Sequence, residues 1–318
     1  SDAAVGRGGF ARGRPAGTHR EFAMVTEETL FDGEFLKKLE YLHIVSKRAF
    51  AGQYRAERRA RKRGSGLEFA DHRAYAAGDD FRRVDWRAYQ RLEKLLLRLF
   101  EEEEDLPIYL FVDCSRSMSD GHPTKLTYAC QVAAALCYVG LAHLDRVTLT
   151  PYTDHLGREL ASQRGKGQIF KVFKFLGQLA SGGMTNAKDS FEKFCRSKRP
   201  RGIAVVVSDF LDPHGFEDGL NMLRFSHHDI FAVHVVSQAD ADPKLRGDLQ
   251  LVDAETGSTH DIAATPSLLG AYKKVYAEFC EELERFCARY QLGYVRTQTE
   301  VPFEDVILQV FRQNRFLT

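Results

Sequence analysis

The spacing of apolar residues changes near residue 105 and separates a helical and irregular first part from an alternating second part. Between residues 28 and 50, apolar side chains recur in steps of three and four, which predicts one amphipathic helix: Leu30, Phe31, Phe35, Leu36, Leu39, Leu42 and Val45. A basic stretch at residues 55–63 and the flexible break Gly64-Ser65-Gly66 follow it. Residues 67–86 show no clear period but gather aromatic and charged residues, so we expect an ordered, hydrogen-bonded loop there.

From Ile108 onward, short apolar runs alternate with amphipathic segments. The runs predict strands at residues 108–112, 146–152, 203–207, 230–236 and 292–295, and a hairpin at 249–259. The segments predict helices at residues 125–144, 168–180, 187–195, 217–225 and 302–311, and a long helix that begins at Pro266 after Thr265. Strands that alternate with helices predict an α/β fold with a mostly parallel sheet covered by helices on both faces.

These patterns divide the chain into three parts. Residues 1–27 are rich in Gly, Ala and Arg and are expected to be a disordered or tag-like tail. Residues 28–104 form a helical and irregular N-terminal extension, and residues 105–318 form the α/β domain.

Composition excludes several classes of protein. The 318 residues are 44% hydrophobic and 28% charged, with a net charge of +1, which are ordinary values for a globular protein. No uninterrupted run of about 18 apolar residues is present, so we expect no membrane span. The six cysteines form no CxxC pair and no metal-binding spacing, which favours a reducing, cytoplasmic compartment.

The basic stretch at residues 55–63 raises the alternative of nucleic-acid binding. It contains no interleaved aromatic residues, and no nucleic-acid-binding fold surrounds it. We therefore favour a solvated surface and expect no nucleic-acid partner.

Oxygen-bearing side chains follow the predicted strands at three places. Asp113, Ser115 and Ser117 follow the first strand of the α/β part, Thr185 ends the loop Gly182-Gly183-Met184-Thr185, and Asp209 follows the strand at 203–207. Ligands of such sheets bind outside the carboxyl ends of the strands. Ser115 and Ser117 alone are also explained by a turn or a helix cap, but the second and third loops favour a cation site.

This arrangement resembles the metal-ion-dependent adhesion site of von Willebrand factor A domains, whose motif is DxSxS with a Thr and an Asp in two later loops. The resemblance implies a von Willebrand factor A-like, Rossmann-like fold. It also implies that Ser115, Ser117 and Thr185 supply hydroxyl ligands, while Asp113 and Asp209 act mainly through bound water. An oxygen-only set favours Mg²⁺ or Mn²⁺. Neutral hydroxyls leave the cation under-neutralised, so the site is expected to attract an Asp or Glu side chain of a partner protein.

Enzymatic alternatives receive less support. The position two residues after Asp113 holds Ser115, whereas a haloacid dehalogenase-type phosphotransferase needs an Asp there; GxSxG and phosphate-binding motifs are absent. A metal-dependent hydrolase or phosphatase remains the alternative, and Asp212 is the one further carboxylate close in sequence to the site. We expect a protein that is not an enzyme.

The segment from Arg73 to Trp86 narrows the resemblance. It is similar to the signature RxYxxGDDxRxIDW of the bacterial family catalogued as domain of unknown function 58, in which a DxSxSM motif follows, as Asp113 to Met118 does here. The family resemblance implies a MoxR-type AAA+ ATPase as partner and a role as adaptor or co-chaperone. Many members carry N-terminal membrane helices, a property that we do not carry over.

Two hypotheses explain the role of the charged and aromatic residues of this signature. These residues form a buried charge network that holds the segment in place, in which case removal of one partner is strongly destabilising, or they form a second contact surface for the ATPase. The residues concerned are Arg73, Tyr75, Asp79, Asp80, Arg82, Asp85 and Trp86.

Overall fold

The structure is a computed structural model that describes residues 10–11, 31–50, 63–64, 68–76, 79–101, 107–253 and 258–312. The chain forms two compact units, one from residues 1–46 and 106–316 and the other from residues 47–105 and 317–318. The strands are β1 (Phe10–Ala11), β2 (Arg63–Gly64), β3 (Glu68–Ala74), β4 (Leu96–Glu101), β5 (Pro107–Asp113), β6 (Arg146–Tyr152), β7 (Leu160–Gln163), β8 (Ile203–Ser208), β9 (Asp229–Val236), β10 (Gly247–Asp253), β11 (Thr259–Ala264) and β12 (Gly293–Gln298). The helices are α1 (Gly33–Phe50), α2 (Trp86–Leu92), α3 (Lys125–Ala142), α4 (Ile169–Leu176), α5 (Ala187–Arg196), α6 (Glu217–Phe225), α7 (Gln238–Ala241), α8 (Pro266–Arg289) and α9 (Phe303–Arg312).

The larger unit is built on a six-stranded sheet in the order β12-β9-β8-β5-β6-β7. Five of these strands are parallel, and β7 pairs antiparallel with β6 at one edge. The α/β class and the mostly parallel sheet are therefore confirmed. β7 was not predicted because Leu160-Ala161-Ser162-Gln163 has little apolar character.

Successive residues of β5 point to opposite sides of the sheet, and nearly all of them are buried. Both faces of the sheet are therefore apolar, and helices cover both. On one face, Tyr109 and Phe111 pack with Phe194 of α5, whose ring centroids lie 5.1 and 4.8 Å from theirs. On the other face, α3 approaches so closely that a Cβ atom on Gly140 would lie 2.8 Å from Cδ1 of Ile108. The alanine-rich sequence of α3 allows this close packing.

α3 is long and apolar enough to cross a membrane, with a mean hydropathy of 1.3, yet 83% of it is buried in the fold. This burial is the property expected of a core helix. Among the residues the structure describes, no other helix meets the same criteria.

Residues 33–46 of the N-terminal helix α1 belong to the larger unit. Phe31, just before it, stacks on Phe173 of α4 at 4.4 Å, and Phe35 packs on Phe303 of α9 at 4.7 Å. A helix was predicted over residues 28–50, and in the structure it begins at Gly33.

The hairpin β10–β11 lies outside the main sheet and pairs with β1. Phe10 and Ala11 thus form a short strand where a disordered tail was expected, and the other residues of 1–27 lie outside the described residues. The hairpin, α7 and the first half of α8 surround a cavity of about 1000 Å³. Val275 on this part of α8 is 50% exposed, whereas the helix buries Cys280, Leu283 and Cys287.

The smaller unit contains the antiparallel sheet β2-β4-β3 and the helix α2. The prediction of a loop over residues 67–86 was wrong for residues 68–74, which form β3, and α2 begins at Trp86. Pairing with β4 explains the strand, since β4 supplies partners that the local sequence of β3 does not reveal.

Candidate metal centre

Three loops meet at the carboxyl end of the sheet, where β5 and β8 lie side by side. β5 ends at Asp113 and continues into a short 3₁₀ helix at Arg116–Ser119. The backbone N–H of Gly182 donates to the carbonyl of Cys114 at 2.8 Å, and that of Arg116 donates to the carbonyl of Gly183 at 3.1 Å. Gly183 has φ of +79°, a conformation that favours glycine. The loop that carries Thr185 is thereby fixed against the loop that carries the serines.

Asp113 is fully buried and hydrogen-bonded through both carboxylate oxygens. Oδ1 accepts from the backbone N–H of Ser115 at 2.8 Å, and Oδ2 accepts from the hydroxyl of Ser208 at 2.6 Å. The Tyr152 hydroxyl donates to Oδ2 from 3.4 Å. These donors fix the carboxylate in one orientation.

The three predicted hydroxyl ligands are also buried. The Ser115 and Ser117 hydroxyl oxygens lie 3.0 Å apart, so one cation can contact both. Thr185 lines a small cavity together with Tyr152, Ser208 and Asp212. The structure therefore places all three hydroxyls at the edge of the sheet at which β5 and β8 end.

Asp209 follows β8 and pairs with a cation supplied by the chain itself. Its Oδ1 accepts from the backbone N–H of Leu211 at 3.1 Å, and its Oδ2 accepts from Nζ of Lys125 at 2.7 Å. Lys125 also donates to Oδ2 of Asp240 at 3.0 Å. The lysine side chain is only 1% exposed, so this is a buried carboxylate–ammonium–carboxylate chain.

The two site carboxylates have opposite pKa shifts. Burial, with the nearby charge of Asp209, raises the pKa of Asp113 to about 7. Burial also acts to raise the pKa of Asp209, but the Lys125 ammonium outweighs it and holds that pKa below its usual value. Burial likewise disfavours the charged form of Lys125, but Asp209 and Asp240 together keep its pKa above the usual value, so it remains protonated.

The donor set is suited to a small divalent cation. It combines two carboxylates with three hydroxyls, all oxygen, and Asp113 is a buried carboxylate without an ion-pair partner among the described contacts. Over the described residues, no group of three or more His, Cys, Asp or Glu side chains could hold a metal ion. A cation here would thus depend on hydroxyl ligands, and bound water would complete its shell.

Sequence reasoning missed Ser208, Lys125 and Asp240. Ser208 lies between the predicted strand at 203–207 and Asp209 and was not among the predicted ligands. A lysine at the first position of a helix is usually solvated. The available signal for Lys125 was that the other 17 residues of α3 carry no charge. A signal for Asp240 is the motif Ser237-x-x-Asp240, which forms a capping box at α7.

Asp212, the carboxylate on which the hydrolase alternative depends, is buried and engaged in backbone hydrogen bonds. Its Oδ2 accepts from the backbone N–H of Ala187 and its Oδ1 from that of His214, both at 2.8 Å. A carboxylate occupied at both oxygens is poorly placed to take a proton from water.

In the smaller unit, the signature residues form local hydrogen bonds. Arg73 pairs with Asp79 at 2.7 Å, but the arginine side chain is 51% exposed. Asp80 accepts from the backbone N–H of Arg82, and Asp85 accepts from those of Arg87 and Ala88. Arg73 and Asp80 are exposed and Asp79 is half-buried, so the described contacts of these three residues do not form a buried charge network.

The signature motif specifies two aromatic residues, Trp86 at the start of α2 and Tyr75 directly after β3. Trp86 is 56% exposed and contacts Tyr89 edge-on at 6.2 Å, while Tyr75 is half-buried. Most of the basic stretch at residues 55–63 lies outside the described residues.

Comparison with protein families gives one match, to the family described as "Protein of unknown function DUF58", over residues 71–280. The matched region includes both the whole signature segment and the candidate metal centre. The uncharacterized proteins Rv1480 of Mycobacterium tuberculosis and Mb1516 of Mycobacterium bovis are each 24% identical over 259 residues, covering 80% of this chain and 81% of the relative.

Two solved structures are similar to part of the chain. The conserved hypothetical protein BatB from Bacteroides thetaiotaomicron is 14% identical, with a TM-score of 0.44, and covers 66% of this chain and 98% of that one. An aerotolerance-related membrane protein from Bacteroides fragilis is 13% identical, with a TM-score of 0.42, and covers 65% of this chain and 98% of that one.

Proposed function

Because the chain belongs to the DUF58 family, whose description assigns no activity, we propose its function from the site: a non-enzymatic protein-binding module that depends on a divalent cation. Its larger unit is a von Willebrand factor A-like domain. Ser115, Ser117 and Thr185 contact Mg²⁺ or Mn²⁺ through their hydroxyls, and Asp113 and Asp209 act through bound water.

The observation that carries this proposal is the buried oxygen cluster at the ends of β5 and β8. Asp113 is desolvated and lies beside the negative charge of Asp209, so a divalent cation would relieve the cost of its ionisation. The paired serine hydroxyls, 3.0 Å apart, offer two neutral ligands to the same ion. A cation held this way keeps most of its charge and attracts a carboxylate from outside the chain.

The partner we propose is a MoxR-type AAA+ ATPase that offers an Asp or Glu to the cation, with the chain acting as its adaptor in the cytoplasm. The exposed signature residues near α2, including Trp86, are available for a second contact with it. The alternative is a metal-dependent hydrolase. The engagement of both Asp212 oxygens favours docking over hydrolysis.

The test is direct binding of this chain to a purified MoxR-type AAA+ ATPase of the same host, measured by biolayer interferometry. We expect binding in Mg²⁺, loss of binding in EDTA, and binding weakened about tenfold or more for Asp113→Asn, which keeps the shape but removes the charge. Arg201→Met, which removes an exposed charge at the opposite end of β8, is the control. Equal binding in Mg²⁺ and EDTA would contradict metal-dependent docking.

The hydrolase alternative has its own assay. Turnover of phosphate or carboxylic esters in Mg²⁺ that disappears in Asp212→Asn would replace the docking proposal. Retained ATPase binding without turnover supports the docking proposal.

A further inference from the structure

The buried Lys125 lies between two carboxylates that belong to different parts of the larger unit. Asp209 follows β8 at the candidate metal centre, whereas Asp240 lies in α7, which borders the cavity beside α8. Lys125 itself opens α3, immediately after the loop that follows Ser117. The ammonium group of Lys125 therefore links the candidate metal centre to α7.

Full burial means that this ammonium acts with little solvent screening. Its 2.7 Å contact uses Oδ2 of Asp209, and the Leu211 amide uses Oδ1. Both oxygens of Asp209 thus already have protein donors. A divalent cation at the hydroxyls of Ser115 and Ser117 meets a carboxylate whose charge is partly balanced by Lys125, which Asp240 shares, and the ammonium also repels the cation.

We propose that Lys125 is an affinity-setting residue of the cation site: a built-in cation that competes with Mg²⁺ for Asp209 and keeps metal binding weak until a partner carboxylate completes the coordination. This inference rests on the proposed function of the site. With Asp113 ionised, the three carboxylates of Asp113, Asp209 and Asp240 and the ammonium of Lys125 have a net charge of −2, and a partner's Asp or Glu makes it −3. The cation and the partner therefore favour each other's binding.

A purely structural ion pair makes a different prediction. If Lys125 only holds α3 to β8 and α7, its removal destabilises the protein and leaves metal affinity unchanged or lower. If Lys125 sets affinity, Lys125→Met binds Mg²⁺ more tightly than the wild type, although it removes a group that stabilises the fold. The two hypotheses are distinguished by the Mg²⁺ affinity of Lys125→Met, which rises only if Lys125 sets the affinity.

The experiment is calorimetric titration of the full chain with MgCl₂, in wild type, Lys125→Met and the control Arg201→Met. Arg201 pairs with Asp229 at the opposite end of the sheet and is exposed, so the control loses the same charge at a distance. We expect a Kd lower by about tenfold or more for Lys125→Met, and no change for Arg201→Met. The thermal midpoint of Lys125→Met is also expected to rise more steeply with MgCl₂ than that of the wild type.

A second variant keeps the test decisive if Lys125→Met does not fold without metal. Lys125→Met combined with Asp240→Asn removes the ammonium and its second carboxylate together, so the chain's net charge is unchanged while Asp209 is released. Tighter Mg²⁺ binding by either folded variant supports the inference. Unchanged or weaker binding by the folded variants overturns it while leaving the proposed function intact, provided the wild type binds. If neither the wild type nor the variants bind Mg²⁺, the proposed function fails as well.

Discussion

At the scale of single residues, the candidate site is defined by how Asp113 is held. A buried carboxylate is costly unless donors surround it, and the shortest of its contacts comes from a residue that is not itself a predicted ligand. Ser208 donates to Asp113 at 2.6 Å and accepts from the backbone N–H of Phe210 at 2.8 Å. Its hydroxyl is therefore part of the support of the site.

Ser208→Ala should destabilise the protein by about 1–3 kcal/mol in EDTA, because it leaves a buried carboxylate with one donor fewer. Urea denaturation measures the change. Ser119→Ala removes an exposed hydroxyl that bonds the carbonyl of Arg116 and should change stability by less than about 0.5 kcal/mol. Equal effects of the two substitutions would show that the Ser208 hydroxyl does not support Asp113.

Outside the candidate metal centre, His228 makes the stability of the protein depend on pH. His228 packs against the rings of Tyr109 and Phe194, with centroid distances of 5.3 and 5.6 Å, and its Nδ1 has no hydrogen-bond partner. Burial lowers the pKa of His228 below its usual 6.5. Below pH 6.5 the unfolded chain therefore takes up a proton that the folded chain resists, so this residue lowers stability as the pH falls.

His228→Phe should reduce the loss of stability between pH 7.5 and pH 5.5, because phenylalanine fits the aromatic site and takes up no proton. Urea denaturation of wild type and variant at both pH values measures the difference. An identical pH dependence in the two proteins would mean that His228 does not contribute to it.

At the scale of elements, the signature segment owes its structure to caps. Asp85 is buried and accepts from the backbone N–H groups of Arg87 and Ala88, both at 3.0 Å, which satisfies two free donors at the start of α2. Asp79 instead pairs with an arginine in contact with solvent. The two acids of one motif therefore have unequal structural roles.

Asp85→Ala should lower the stability of α2 by about 1 kcal/mol, the usual cost of losing an N-cap, whereas Asp79→Ala should have a smaller effect because exposed ion pairs contribute little. Hydrogen exchange of the amides of residues 86–92 measures both. A larger effect for Asp79→Ala would restore the idea of a stabilising charge network.

At the scale of the whole molecule, the elements that could be predicted from the sequence are those that a local pattern of apolar residues marks. Buried parallel strands are continuous apolar runs, so β5, β6, β8 and β9 were found close to their bounds, and the ends of β5 and β8 located Asp113 and Asp209. The edge strand β7 was missed because its exposure removes the apolar signal.

Contacts between distant parts of the chain could not be predicted. Lys125 meets Asp209 and Asp240 across 84 and 115 residues. The uncharged sequence of the rest of α3 suggests that Lys125 is unusual, but it does not indicate which carboxylates pair with it. The same limit applies to β3, which needs β4 as its partner. Candidate ligands were thus predictable from strand ends, whereas the charge that balances them was not.

We propose that one divalent cation binds at the hydroxyls of Ser115 and Ser117. The most direct measurement is anomalous diffraction from crystals of the full chain grown in MnCl₂, with crystals of Asp113→Asn as the control. We predict an anomalous peak within coordination distance of Oγ of Ser115 and Oγ of Ser117 in the wild type, and its loss or weakening in the variant. A Mn²⁺ peak elsewhere, with none at the two serines, would contradict the claim.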